Sequence, residues 1–129
     1  MEIGVPYRIE CNRRLCIRKD LIELSQWIDT LSILNSELEQ LRLIDKQLLK
    51  NSSIENNILG LRRKNTLVLA TLCRYEQELN TEFEYGKREY DVSRAKEHEN
   101  KRDSYIDLME NFHQLRKSIY KILSTYQRK

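Results

Sequence analysis

The spacing of the apolar residues constrains this chain more than any other feature. In the closing segment they fall at Tyr105, Leu108, Phe112, Leu115, Ile119, Ile122 and Tyr126, in alternating steps of three and four. A strand needs a period of two, whereas a helix lying along another helix needs 3.5. These residues therefore form the a and d positions of a heptad seam. Met109 and Leu123 add the e position, which widens the stripe enough to fit between two neighbouring helices.

The same spacing recurs upstream. Ile17, Leu21, Leu24, Ile28 and Leu31 step by four and three, and the next seam position falls on Asn35. Leu34 carries the stripe on to Leu38, Leu41 and Leu48, as if one residue had been lost from the phase. Such a slip predicts packing that departs there from regular coiled-coil geometry. Leu61, Val68, Leu72, Tyr75, Leu79, Phe83, Gly86 and Tyr90 form a further stripe. Only 3 glycines and 1 proline are present, too few for the turns of a sheet-rich fold. Abundant, regularly spaced Leu and Ile argue equally against disorder.

Boundaries follow from the punctuation. In "MEIGVPYRIEC", Ile3, Val5, Tyr7 and Ile9 alternate with other residues, and Pro6 biases Val5 toward extended backbone. Residues 1–11 are expected to be an extended N-terminal arm that lies along a partner or adds a strand to one. Asn12 is a competent N-cap for a helix of about residues 12–50. Asn51 is placed to end it in a left-handed conformation, and Ser52 with Glu55 forms a capping box for a second helix of about 53–98. Projected backwards, the closing heptads put Asp91, Arg94, His98 and Lys101 on seam positions, where buried charge is costly. A turn within 97–104 is therefore expected, with Ser104 capping a third helix of about 104–128 and Asp107 at its box position. The fold class is all-α: an elongated antiparallel three-helix coiled-coil bundle over residues 12–129, with the extended arm before it.

Few patterns carry chemistry. Glu110 and His113 have the E-x-x-H spacing of di-metal bundles, but that site needs two such motifs, and both residues project away from the seam. His98 has no Cys or second His at ligand spacing. Cys11, Cys16 and Cys73 make an odd set without CxxC, as expected of reduced cysteines in an intracellular protein. There is no phosphate-binding glycine loop, nucleophile elbow or HExxH. No catalytic, cofactor-binding or metal-binding residues are assigned, and an enzyme is not expected. The net charge of +3 is small and the charges are intermixed, so nucleic acid is not the expected partner; the basic runs at Arg62-Arg63-Lys64 and the chain terminus are weak signals for it.

What remains is protein-protein contact. Tyr85 and Tyr120 lie off the seams and, with Ile106, are candidates for a second contact surface. Ile3, Val5 and Tyr7 are candidates on the arm. Trp27 is expected to pack beside Ile28 and Leu31, against the arm. Glu2, Gly4 and Pro6 break any secretory pattern and no apolar run is long enough for a membrane span, so a cytoplasmic location is expected, with the nucleus as a second setting. The pattern reads as a scaffold or adaptor subunit of a larger assembly, first of all a cytoskeletal one such as the centrosome, cilium, spindle or kinetochore, holding a helical protein partner or a second copy. The alternative is a helical subunit of a chromatin or transcription complex.

Overall fold

A computed structural model describes residues 4–125, with side chains from Arg8 onward. Three helices pack together: α1 (Gly4–Ile44), α2 (Ser52–Tyr85) and α3 (Val92–Ser124). A short π-helical segment, Asp45–Leu49, continues α1. Among the described residues there is no strand, and no helix is long and apolar enough to cross a membrane. α2 runs antiparallel to α1, since Arg13 meets Glu82, Asn35 meets Asn65 and Arg42 meets Glu55. α3 runs antiparallel to α2 and parallel to α1, with Tyr75 against His98 and Trp27 against Tyr105. The 41 residues of α1 span roughly 60 Å, so the bundle is long and thin.

The buried residues of α1 are Arg13, Ile17, Asp20, Leu24, Trp27, Leu31, Leu34, Leu38, Leu41 and, where the π-helical segment begins, Asp45. These step by four and three without interruption. The slip expected at Asn35 is therefore absent. It arises from tracing the stripe through Leu21 and Ile28, which only flank the core, instead of through Asp20 and Trp27. In α2, Ile54, Ile58, Leu61, Asn65, Leu72, Tyr75 and Leu79 are buried, and in α3 His98, Leu108, Phe112, Leu115 and Ile119. Every seam keeps the heptad phase once its polar members are counted.

The boundaries differ from the sequence reading in three places. Helix α1 begins at Gly4, so residues 4–11 are not an extended arm. Pro6 falls in the first helical turn, where the backbone N–H groups have no intrahelical acceptor and its missing donor costs nothing. Ile3 and the side chains of Val5 and Tyr7 lie outside the described residues.

At the first turn, Lys50, not Asn51, takes the left-handed conformation (φ 50°), and Asn51 is the N-cap of α2, accepting from the Ser53 and Ile54 N–H groups. Buried Asp45 organises this turn: its carbonyl accepts from Lys50 N and its Oδ1 from Asn51 N at 3.0 Å. The π-helical turn holds one extra residue, which rotates Leu48 out to solvent and leaves Leu49 partly packed on the core.

The second turn lies at 86–91 rather than within 97–104. Gly86 ends α2 in extended backbone, and Asp91 caps α3 by accepting from Arg94 N at 3.0 Å. Ser104 is inside α3, its hydroxyl bonded back to Asn100 O, and Asp107 pairs with Lys64 at 2.6 Å. The premise that charge would not occupy the seam fails because Asp91 is an exposed cap, His98 meets Tyr75 and Glu23 from the other two helices, and Lys101 lies over the Tyr75 ring.

Candidate functional site

The largest concentration of polar side chains in the interior surrounds His98, where all three helices and the second turn meet. Tyr75 Oη lies 2.8 Å from His98 Nδ1, and His98 Nε2 lies 2.7 Å from Glu23 Oε1 and 3.5 Å from Asp20 Oδ1. Arg102 donates to the same Glu23 oxygen at 2.6 Å, and the Tyr90 hydroxyl donates to Asp20 Oδ2. Trp27 stacks on the imidazole at 5.1 Å and on Tyr105 at 5.6 Å. Among the described residues, Trp27 thus packs against the N-terminal half of α3. Arg102 lies over the Trp27 ring and Lys101 over Tyr75.

The charges are balanced by contact. Burial acts to raise the Glu23 carboxyl, but the hydrogen bonds from Arg102 and His98 outweigh it and hold the group below the usual carboxylate range. Bonding to Glu23 in turn raises Arg102. Burial lifts the Tyr75 and Tyr90 hydroxyls well above the ordinary tyrosine range, with the Asp20 charge adding to both. Both tyrosines therefore stay protonated at neutral pH, able to donate to His98 and Asp20.

Asp20, Glu23 and His98 bring potential metal-ligating atoms within 4.8 Å of one another. Sequence spacing gave no sign of this convergence, because the three residues come from two helices far apart in the chain. Each already has a partner, however. A divalent cation bound here would compete with the Arg102 guanidinium for Glu23 and place like charges together. His98 and Asp20 are buried, while Glu23 and Arg102 are partly open to solvent. The arrangement is a hydrogen-bond network joining three helices around a buried His98.

Two further polar seam residues act similarly. Arg13, almost fully buried, donates through Nη1 to Glu82 O at 2.6 Å, capping a carbonyl at the end of α2, while Nε and Nη2 grip the two Glu10 carboxylate oxygens. The two guanidinium contacts from Arg13 and Arg14 hold the Glu10 carboxyl down to about 2. Asn65 donates to Leu31 O and Asn35 Oδ1 across the α1–α2 seam. Their common signal in the sequence is position: each falls on a heptad site that apolar counting skips.

Of the sequence-assigned contact residues, Tyr85, Ile106 and Tyr120 are exposed but dispersed. Tyr85 is the most exposed, at the end of α2; Ile106 and Tyr120 lie on α3, fourteen residues apart on one side of the helix. Tyr85 adjoins the turn before α3 and Tyr120 lies near the far end of α3, so they mark opposite ends of the bundle. Glu110 and His113 are both exposed, as their heptad positions require, and His113 Nδ1 contacts Arg116. Two members of the basic run at 62–64 are engaged, Arg62 with Glu39 and Lys64 with Asp107.

A surface feature that apolar periodicity did not single out lies on α1. Leu15, Ile22 and Ile33 are 68%, 57% and 59% exposed. Steps of seven and eleven place them in one line on the helix, roughly opposite the buried seam. Comparison of the chain with protein-family models, curated proteins and solved structures gives no match.

Proposed function

We propose that this chain is a helical scaffold or adaptor subunit of a larger intracellular assembly, without an enzymatic role, that binds helical segments of other proteins along its length. The observation that supports this reading most directly is the second apolar stripe of α1. A helix packed on one side of a bundle ordinarily presents a polar outer face. Here α1 buries Ile17, Leu24, Leu31 and Leu38 inward and leaves Leu15, Ile22 and Ile33 uncovered outward. Large aliphatic residues in line on an open helix face, Leu15 and Ile22 one heptad apart, are what a partner helix packs against. Cytoskeletal assemblies are the first setting in which to look for that partner. The polar network inside the bundle serves this role by fixing the three helices in one register, which keeps the outer faces in constant relative position.

The test is cross-linking mass spectrometry on the assembly recovered from the cells that make the chain. Cross-links from Lys19 to a helical segment of another protein are expected, and Ile22→Glu with Ile33→Glu removes them. Recovery of the chain alone, with cross-links only within itself, overturns the reading.

A further inference from the structure

The outer stripe of α1 differs along its length. Around Leu15 and Ile22 it is joined by Cys16, Arg18 and Lys19 in a shallow, apolar-floored concavity of about 440 Å³. On the other side of Leu15, Cys11, Arg14, Arg18 and Phe83 line a second concavity of about 280 Å³. The Arg14 and Arg18 guanidinium groups lie over the Phe83 ring at 5.2 and 5.5 Å, which holds two cations against an apolar floor. Arg14 shares Glu10 with Arg13. Arg18 and Lys19 have no carboxylate partner among the described residues, in contrast to Arg62, Lys64 and Arg102. The surface therefore combines exposed aliphatic residues one heptad apart with positive charge that the bundle itself does not neutralise.

We infer that this face of α1 docks an acidic amphipathic helix of another protein, whose apolar side rests on Leu15 and Ile22 and whose flanking Asp or Glu residues pair with Arg18 and Lys19. The inference rests on the scaffold reading and narrows it to one face and one chemistry. Heptad spacing selects a helix over an extended peptide, since a helical partner repeats its side chains at the same interval. The apolar floor disfavours nucleic acid, whose phosphate ridge offers it nothing to bury. Asp29, exposed on the same side of the helix below Ile22, disfavours an anionic lipid surface, which would have to desolvate it.

The chain carries its own reporters. Cys11 and Cys16 line the two concavities, while Cys73 is exposed on α2 and lines neither. The experiment follows alkylation of each cysteine in the full chain by mass spectrometry. The probe is a synthetic helical peptide with Leu at a and d and Glu at e and g. It is expected to slow alkylation of Cys11 and Cys16 several-fold and to leave Cys73 unchanged. Binding is expected to weaken about tenfold or more in Arg18→Glu with Lys19→Glu, and for a peptide with Gln in place of Glu. Equal protection by the Gln peptide overturns the charge selection. Protection by phosphatidylserine vesicles or duplex DNA without protection by the Glu peptide assigns the face to another class and overturns the inference, as does no protection by any probe. If protection fails while Lys19 or other lysines still cross-link to a partner helix, the inference falls and the scaffold reading stands.

Discussion

Asn65 Nδ2 lies 3.1 Å from Asn35 Oδ1, joining α2 to α1 in the middle of the bundle. Asn65 is completely buried and also reaches the Leu31 carbonyl, while its own Oδ1 has no partner. A buried amide at a seam position fixes register at a cost in stability, because a shifted pairing would leave more of it unsatisfied. Asn65→Leu is expected to raise the unfolding free energy by about 1 kcal/mol and to loosen the pairing of α1 with α2. Denaturant titration checks the first, and broader or multiple species in sedimentation check the second. A destabilised, single species would contradict this account.

The Tyr75–His98–Glu23 chain crosses all three helices. Tyr75→Phe removes the hydroxyl and leaves His98 Nδ1 without a partner, at an expected cost of about 1–2 kcal/mol. His98→Ala also leaves Asp20 and Glu23 facing each other beside a cavity, and is expected to cost about 3 kcal/mol or more. Urea midpoints of the two variants and their double mutant separate the terms; full additivity would show that the residues do not act as one network.

Acid should weaken the bundle. The Glu23 carboxyl is held below its ordinary value of 4.5 in the folded chain, so the unfolded chain binds more protons at acidic pH. This stabilisation is fully present above 4.5 and is lost as pH falls through the lowered folded-state value. Glu10, held down to about 2 at an exposed site, contributes in the same direction over a wider range. Glu23→Gln is expected to flatten the fall in denaturant midpoint as pH drops below the ordinary carboxylate value of 4.5; an unchanged slope would remove Glu23 from this role.

Arg13 links two points 69 residues apart through the Glu82 carbonyl. Arg13→Ala is expected to cost about 2–3 kcal/mol, since it empties a buried site, removes one of the two donors to the Glu82 carbonyl and leaves Glu10 to Arg14 alone. Arg13→Lys keeps the charge but loses the fork, and should recover only part. Hydrogen exchange should rise first at the C-terminal turn of α2 in both variants; uniform loss of protection would argue against a local cap.

Gly60 lies on an open helical face, with nothing within 4 Å of the point that a Cβ would occupy. It marks no close approach. Gly60→Ala should therefore stabilise the chain by about 1 kcal/mol, read as a higher urea midpoint.

The helical class, the heptad phase of the α2 and α3 seams and the existence of two turns were legible in the sequence, because aliphatic residues at three-four spacing bury themselves in the same way whatever covers them. The polar members of those seams were not. Arg13, Asp20, Asn65 and His98 stand at heptad positions, yet whether a buried polar group is tolerated depends on a partner supplied from a distant part of the chain. Charge counting moved the second turn from 86–91 to 97–104, and tracing aliphatic residues past Asp20 and Trp27 made a continuous stripe look broken at Asn35. The outer face of α1 was hidden for a related reason: Leu15, Ile22 and Ile33 are as apolar as the core, and only the packing of three helices decided which stripe would be covered. Periodicity is a local property and determined the elements; partnership is a non-local one, and tertiary structure alone decided it.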